Sequence, residues 1–273
     1  MKEDSLRVLI GSPIRQKPEI LSKFLVSIKE LSSRAINIDY YFIDDNAEEE
    51  SGQLLTGFAA ENPNTIIARI HDDSLYICNE STHVWKEELI WKVAGFKNQI
   101  INKARTDNYD YLFLVDSDLV LHPRTLEHLI SLKKDIAAEI FWTRWEPDFP
   151  ELPQVWASDQ YNLFEHSRGE SINESQILQR VPLFLNQLKS PGVYRVGGLG
   201  ACTLISRMAI LAGVNFNEIY NISFVGEDRH FCIRAAALGF ELFVDTHYPA
   251  FHIYRLSDLD GLEEYEKRIM QTS

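Results

Sequence analysis

Two aspartates interrupt an apolar stretch near the middle of the chain. Residues 111–123 read YLFLVDSDLVLHP, which places Asp116 and Asp118 two positions apart at the end of a run typical of a buried strand. In an extended strand, residues i and i+2 project to the same side, about 6.6 to 6.8 Å apart. The two carboxylates are therefore predicted to face one ion and Ser117 to point away, although an ordinary turn also explains Asp and Ser here. Such oxygen ligands suit Mg²⁺ or Mn²⁺, which complete their coordination with water and phosphate oxygens.

A second acidic pair begins a predicted helix. In FVGEDRHFCIRAAALGF, residues 224–240, Glu227 and Asp228 directly follow a glycine. Acids at a helix N-terminus are stabilised by the helix dipole, typically by ~0.3 to 1 kcal/mol, so capping alone explains them. The catalytic hypothesis is that one carboxylate takes a proton from an attacking hydroxyl. Downstream, His247 and His252 follow a strand-like segment. A lone histidine is more often structural or solvent-facing, but a neutral imidazole from one of these two would be able to complete an aspartate-held metal site.

Apolar runs alternate with amphipathic stretches in the first half, which is typical of βαβ units around a largely parallel sheet. Strands are predicted at 7–11, 38–44, 65–70, 111–116, 136–141 and 241–245. Helices are predicted at 18–31, 51–61, 85–104, 123–132, 175–188 and 261–270. Open α/β sheets bind ligands outside the carboxyl ends of their strands, where this order places Asp116. The fold class is therefore predicted to be α/β, with helices flanking a mostly parallel central sheet.

Composition limits the classes of partner. The chain has 273 residues, of which 45% are hydrophobic and 11% aromatic, enough to fill the core of one large domain. Its net charge of −13 argues against a nucleic-acid or anionic-membrane surface. No stretch approaches the ~20 apolar residues of a membrane span, and no signal peptide is recognisable, so a cytoplasmic protein is expected. Three scattered cysteines, Cys78, Cys202 and Cys232, predict ordinary buried thiols.

Four segments carry a family resemblance when they are taken in order: FLVDSD, VGGLGACTLISR, GEDRHFCIRAAALGF and FHIY. Together they resemble the GT-A nucleotide-sugar glycosyltransferases, closest in style to the family 2 type, with some likeness to Anp1-type mannosyltransferases. The resemblance implies a GT-A (Rossmann-like) fold with a smaller acceptor-side region, in a single domain over residues 1–273. A nucleotide-sugar-binding half is expected at about 5–141, an acceptor and catalytic half at about 142–255, and a C-terminal helix at 256–273.

The activity implied by the resemblance is metal-dependent, inverting transfer of a hexose from a nucleotide-diphospho-sugar to an acceptor hydroxyl. Asp116 and Asp118 match the family's D-x-D metal and diphosphate motif, and His252 matches its trailing metal-side histidine. Asp228 matches the inverting base, and Glu227 orients the acceptor. The implied cofactor is Mn²⁺ or Mg²⁺. UDP-hexose is the first choice of donor and GDP-mannose the second, and the acceptor is a glycan, a protein or a small molecule.

The resemblance also assigns residues to the donor. Ser12, Pro13 and Arg15 occupy the loop beside the nucleotide base, Asp44 or Asp45 faces the nucleoside, and Lys97, Asn98 and Ser117 complete the set. Lys97 stands where the family usually carries arginine, so it keeps the charge but loses the planar fork. An ordinary turn at Asp44 and Asp45 and a solvated helix face at Lys97 and Asn98 are the alternatives.

Acceptor contacts are assigned to glycines and tryptophans of the second half. Gly197, Gly198 and Gly200 are expected to let backbone approach a sugar or acceptor closely, although a tight turn is also a common use of glycine. The acceptor-binding residues assigned in this segment are Gly198, Leu199 and Gly200. Trp142, Trp145 and Trp156 are expected as sugar-stacking platforms or a lid, with core packing as the alternative.

Three rival functions fit the sequence less well. A haloacid dehalogenase-type phosphatase also places D-x-D after an apolar strand, but about 110 residues precede it here and GEDRHF does not match the later acidic motif of that class. A sugar-nucleotidyltransferase carries a glycine-rich, basic loop after its first strand, whereas GSPIRQK has one glycine. A non-catalytic nucleotide-sugar-binding protein is disfavoured by the intact Glu-Asp pair.

Overall fold

The computed structural model describes residues 5–32, 36–70, 86–158, 160–223 and 226–271. The first half contains β1 (Leu6–Ile14), α1 (Pro18–Lys29), β2 (Ile36–Asp44), α2 (Glu49–Glu61), β3 (Thr65–Arg69), α3 (Glu87–Thr106), β4 (Tyr111–Leu114), β5 (Leu119–Val120), α4 (Thr125–Ser131) and β6 (Ile136–Thr143). The second half contains β7 (Leu152–Pro153), β8 (Val155–Trp156), α5 (Glu174–Leu188), β9 (Val193–Val196), β10 (Gly198–Leu199), β11 (Thr203–Ser206), α6 (Arg207–Ala212), α7 (Glu227–Ala237), β12 (Leu242–His252), a 3₁₀ helix (Leu256–Gly261) and α8 (Leu262–Met270).

The central sheet is mixed and mostly parallel, as predicted. Its strands follow the order β3-β2-β1-β4-β11-β6-β12-β5. β1 pairs in parallel with β2 on one side and β4 on the other, β2 pairs in parallel with β3, and β12 pairs in parallel with β6. Only β11 separates the two parallel groups, running antiparallel to β4 and β6. The chain order reverses direction between β1 and β4, which creates the kind of crevice where such sheets bind ligands.

Helices cover both faces of the sheet, so the inner strands are apolar throughout. Val8 and Ile10 of β1 pack in a cluster with α1, α2 and α4, whereas Leu9 packs on the opposite face with α3, α5, α6 and α7. All three side chains are buried. This is the pattern expected of a strand enclosed on both faces. Gly11 of the same strand lets α3 approach, because a Cβ there would lie 2.2 Å from Ile100 Cγ2.

Most predicted elements are confirmed, with shifted ends. Helix α1 begins at Pro18, where the absent proline N–H costs nothing, and α5 begins at an Asn173 capping box. The strand predicted at 241–245 is longer, running from Leu242 to His252. Helix α3 begins at Glu87, and the predicted start at Trp85 lies outside the described residues.

Two further findings concern thiols and membrane segments. Cys202 and Cys232 are buried and free, as predicted, while Cys78 lies outside the described residues. None of the helices in the described parts of the chain has the length and apolarity needed to cross a bilayer.

Candidate active site

A cavity of about 690 Å³ opens where β1 and β4 end. Twelve of the residues singled out in the sequence line it: Pro13, Arg15, Asp45, Lys97, Asp116, Ser117, Asp118, Trp145, Trp156, Glu227, Asp228 and His252. The cavity therefore gathers acids from both halves of the chain at the crevice of the sheet.

The D-x-D residues lie in a turn, so the prediction of an extended strand is wrong. β4 ends at Leu114, and the chain turns through Asp116, Ser117 and Asp118 before β5 begins at Leu119. The turn forms because β5 pairs with the distant end of β12, with Leu119 opposite His252. The turn also leaves Ser117 on the cavity wall, where the strand geometry had pointed it away.

The same pairing brings His252 to Asp118. The distance from His252 Nε2 to Asp118 Oδ2 is 3.5 Å, and the Ile253 N–H donates to the Asp118 carbonyl at 2.9 Å. On the other side of the ring, His252 Nδ1 lies 2.9 Å from Thr143 Oγ1, which accepts a hydrogen bond from Gln154. When Nδ1 carries the proton and donates to Thr143, Nε2 presents a lone pair toward Asp118. In the structure, His247 instead bonds Asp245 and does not line the cavity.

The second acidic pair meets a buried lysine. Glu227 and Asp228 are the first two residues of α7, and Gly226 before them has a φ of 120°, which glycine adopts without strain. Lys97 Nζ in α3 donates to Glu227 Oε1 at 2.8 Å and to Asp228 Oδ1 at 3.0 Å. Only 3% of the Lys97 side chain is exposed. The predicted solvated helix face is therefore absent at Lys97, and its partners are the two carboxylates.

Burial and mutual repulsion raise the proton affinity of these acids. Burial raises the pKa of Asp228 to about 7, although the Lys97 ammonium opposes this. Burial also raises the pKa of Asp116 to about 6, with Lys97 opposing and the charges of Asp118 and Glu227 adding to the rise. Burial lowers the pKa of Lys97, but the surrounding carboxylates outweigh this effect and hold that pKa well above its usual value.

The resulting balance of charge fits a bound cation. Asp116, Asp118, Glu227 and Asp228 supply four carboxyl groups to the cavity, and the Lys97 ammonium hydrogen-bonds to only two of them, Glu227 and Asp228. Carboxylate oxygens together with an imidazole nitrogen are ordinary donors to Mn²⁺ or Mg²⁺. The residues present therefore fit the cation that the D-x-D motif implies.

The two adjacent acids after β2 have different surroundings. Asp45 lines the cavity, where Arg15 Nη1 lies 3.2 Å from Oδ2 and Lys92 Nζ lies 2.7 and 2.8 Å from its two oxygens. Asp44 lies outside the cavity, and its Oδ1 accepts hydrogen bonds from the backbone and side chain of Asn46. The turn interpretation therefore suits Asp44, and of the two acids it is Asp45 that faces the cavity.

Several predicted residues lie away from the cavity. The Ser12 side chain is buried and its hydroxyl donates to the Pro13 carbonyl. Asn98 is hydrogen-bonded to Asn217 and to the Phe216 N–H, so it anchors a loop. Trp142 packs against the main core cluster, in keeping with the core alternative for this residue.

The glycine-rich segment packs against two residues that line the cavity, Trp156 and Asp228. A Cβ at Gly198 would lie 1.9 Å from ring atoms of Trp156, so this glycine makes room for the tryptophan. Leu199 is buried and does not line the cavity. A Cβ at Gly200 would lie 3.5 Å from Asp228 Oδ2, which makes Gly200 the neighbour of the acidic pair.

Sequence reasoning missed Tyr161, Gln154 and Lys92, all of which contact the cavity or its acids. The Tyr161 ring lies 4.1 Å from that of Trp156, centroid to centroid. Burial, followed by the charge of Asp228, raises the Tyr161 pKa. Tyr161 adopts a left-handed φ of 57° within a segment that shows no sequence period. No local sequence pattern identifies Tyr161 as a cavity residue.

Known structures share this arrangement of elements. S. aureus TarS 1-349 in complex with UDP superposes with a TM-score of 0.54 and 11% identity, over 90% of this chain and 60% of that one. GalNAc-T7 with UDP, GalNAc and Mn²⁺ gives a TM-score of 0.57 and 15% identity, over 94% of this chain and 45% of that one. The fold is that of the GT-A glycosyltransferases.

Sequence similarity to known proteins covers less of the chain than the similarity of fold does. No protein-family model matches the chain. A glycosyltransferase 25 family member from Aedes aegypti is 26% identical over 140 residues, which is 49% of this chain and 23% of that protein. The chain thus spans about a quarter of the length of this curated relative, and less than two thirds of the two GT-A chains above.

Proposed function

We propose that the protein is a metal-dependent glycosyltransferase that moves a hexose from a nucleotide-diphospho-sugar to an acceptor hydroxyl with inversion at the anomeric carbon. One observation carries the proposal: the D-x-D turn with His252 and the Glu227–Asp228 pair face the same cavity in a GT-A fold. A diphosphate site and a candidate base thereby lie on two walls of one crevice.

On the donor side, Asp118, His252 and Asp116 would hold Mn²⁺ or Mg²⁺. Such a cation supplies positive charge to the donor diphosphate and stabilises the charge that develops on the leaving group. Thr143 keeps the His252 ring oriented through Nδ1, which leaves Nε2 directed at the Asp118 side. Asp45, with Arg15 and Lys92 around it, would contact the nucleoside end of the donor.

On the acceptor side, Asp228 is the proposed base. A pKa of about 7 suits a group that must both accept a proton and exist unprotonated near neutral pH. Lys97 Nζ donates hydrogen bonds to Asp228 Oδ1 at 3.0 Å and to Glu227 Oε1 at 2.8 Å, and it thereby holds the two carboxylates close together. Glu227 would then orient the hydroxyl that Asp228 deprotonates. Trp145, Trp156 and Tyr161 line the same cavity and offer aromatic faces to a sugar.

UDP-hexose is the proposed donor, with GDP-mannose second. The support for uridine is that one TarS structure contains UDP, another contains UDP-GlcNAc, and the GalNAc-T7 structure contains UDP. The acceptor class and the cytoplasmic location stay predictions.

Binding is tested by thermal denaturation with a panel of UDP- and GDP-sugars, each with Mn²⁺ and with EDTA. A ligand at 100 times its dissociation constant stabilises the folded state by ~2.7 kcal/mol, so a true donor gives a clear increase in melting temperature. We expect that increase only with Mn²⁺ or Mg²⁺, and we expect Asp118→Asn to abolish it. Asp260→Asn, an exposed acid outside the cavity, is the matched control and should behave as wild type. An equal shift in EDTA would remove the cation from donor binding.

Catalysis is tested by release of the nucleoside diphosphate from the donor that the panel identifies. General-base assistance is worth about 10² to 10⁴-fold, so Asp228→Asn should lose turnover by that factor while keeping the donor-induced thermal shift. Full turnover by Asp228→Asn would exclude Asp228 as the base. A thermal shift without any turnover in wild type would indicate a binding protein.

A further inference from the structure

A second cluster of metal-ligating side chains lies outside the donor cavity. Asp245 and His247 belong to β12, and His128 lies in the last turn of α4. His247 Nδ1 lies 2.7 Å from Asp245 Oδ1, and His128 Nε2 lies 3.2 Å from the same oxygen. The three ligand atoms all lie within 4.8 Å of one another, and none of these residues lines the donor cavity.

A second acid, Glu139, lies beside this cluster on the neighbouring strand. Glu139 of β6 pairs in register with Asp245 of β12 in a parallel ladder, so both side chains project from the same face of the sheet. Both are buried. Glu139 Oε1 accepts from the Tyr248 N–H at 3.2 Å, while Oε2 has no hydrogen-bond donor among the described residues.

Two buried carboxyl groups on adjacent strands need a positive partner. Glu139 and Asp245 are both buried and lie opposite each other in the ladder, so their carboxylates repel each other when both are charged. Either a proton or a cation must relieve this repulsion, because unpaired buried charge is strongly unfavourable. Glu139 Oε2 is a buried acceptor without a hydrogen-bond donor among the described residues, and a divalent ion would neutralise both carboxylates at once.

We propose that His128, Asp245 and His247 bind a divalent transition ion of the zinc class, with Glu139 as the additional carboxylate. Two imidazoles and a carboxylate are donors that suit Zn²⁺ or Co²⁺ better than Mg²⁺, which prefers oxygen alone. Zinc ligand distances of 2.0 to 2.1 Å place tetrahedral ligand atoms about 3.3 Å apart. The His128–Asp245 separation of 3.2 Å already matches this value, and the His247–Asp245 pair must widen from 2.7 Å.

The site joins α4 to the β6–β12 pair and is open to solvent on one side. His247 exposes 38% of its side chain and His128 22%, whereas Asp245 is fully buried. The exposed histidine edge gives an ion its entry path, and the buried carboxylate fixes the position of the ion. Because none of these residues lines the donor cavity, ion binding here is measured separately from donor binding.

The test is titration of the full chain with Co²⁺, followed by displacement with Zn²⁺, in the Asp118→Asn background, which removes one carboxylate from the donor-side ligand set. We expect one equivalent of Co²⁺ with the visible absorption of tetrahedral nitrogen and oxygen coordination. Loss of an outer-shell partner typically costs about 10- to 100-fold in metal affinity, and His247→Ala should weaken binding by at least that much because His247 is itself a proposed ligand. His166→Ala removes an exposed histidine elsewhere and is the matched control.

Circular dichroism and a melting curve in EDTA establish that His247→Ala is folded, which its exposed position favours. In addition, Zn²⁺ should raise the melting temperature of the Asp118→Asn protein and leave that of the double variant unchanged. Absence of a tetrahedral Co²⁺ spectrum, or equal affinity in the His247→Ala and His166→Ala proteins, would overturn the proposal. The cluster would then be a hydrogen-bonded carboxylate and histidine network that shares a proton. Because donor binding is not measured, failure here leaves the proposed transferase function intact.

Discussion

Replacing Lys97 with methionine removes the ammonium that bonds both Glu227 and Asp228, and it should shift the pH dependence of turnover. In Coulomb's law, an effective dielectric constant of about 20 gives ~5.5 kcal/mol for the 3.0 Å contact between Lys97 and Asp228. This value is an upper bound, because the same ammonium also hydrogen-bonds to Glu227 and its charge is shared between the two carboxylates. A neighbouring opposite charge usually lowers a carboxyl pKa by about 1 to 3 pH units.

The direction of the shift follows from the role of the base. Asp228 acts when unprotonated, so kcat/KM in wild type should rise with pH through the Asp228 pKa of about 7. Lys97 lowers that pKa, and its removal moves the rise to higher pH. A shift of about 2 pH units would reduce the unprotonated fraction at pH 7 from about one half to about 1%, a roughly 50-fold loss of kcat/KM that is recovered at high pH.

The assay is donor hydrolysis or transfer measured from pH 5.5 to about pH 10 at saturating Mn²⁺. Lys97→Arg keeps the charge and should retain the acid limb near the wild-type position. Lys29→Met removes an exposed lysine that pairs with Glu61 at 2.6 Å, and it should leave the profile unchanged. Loss of a buried partner costs about 3 to 5 kcal/mol of folding free energy, so the melting temperature of each variant is measured first. An acid limb at the same pH in Lys97→Met and wild type would refute the electrostatic role of Lys97.

Three further predictions concern stability. Gly198→Ala should destabilise the fold by about 1 to 3 kcal/mol, because the new Cβ would overlap the Trp156 ring. Its matched control is Gly57→Ala on the exposed face of α2, which should stabilise the fold by about 0.5 to 1 kcal/mol. Urea denaturation measures both changes in the free energy of unfolding. Asn173→Ala removes the cap of α5 and should cost ~1 kcal/mol in the same assay. Because its pKa is raised, Asp228 holds its proton more tightly in the folded state, so its contribution to stability is present at low pH and declines from about pH 4 to pH 7. Asp228→Asn should flatten that decline, and an unchanged pH profile of the melting temperature would contradict the raised pKa.

The sheet was predictable from local patterns, because its strands carry apolar residues toward both layers of helices. Val8, Leu9 and Ile10 form such a run, and the strand that they predict is present. The D-x-D geometry was not predictable in this way. Its turn depends on the pairing of Leu119 with His252, two residues more than a hundred positions apart, and periodicity within a short window carries no information about such a contact.

The site residues that could be predicted from the sequence are acids that lie next to the end of a predicted strand or the start of a predicted helix. Asp116, Asp118 and Asp228 are acids placed at the ends of elements, and the structure brings them to one cavity. Tyr161 was missed because the segment around it has no regular period, and its position depends on packing against Trp156. Trp142 was assigned to the acceptor although it is partly buried and packs against the core, since residue type alone does not distinguish a stacking platform from core packing.

The partners of Lys97 give a physical reason for a lysine at this position. A guanidinium is a rigid planar fork that matches the two oxygens of one carboxylate or phosphate. Lys97 Nζ instead serves two carboxylates on successive residues at the first turn of α7, at 2.8 and 3.0 Å. An ammonium has three donors that rotate about a single bond, so it can divide its hydrogen bonds between two acceptors that are not coplanar. Lysine therefore suits a site that must hold Glu227 and Asp228 together, and the same contact lowers the pKa of the carboxylate proposed to act as the base.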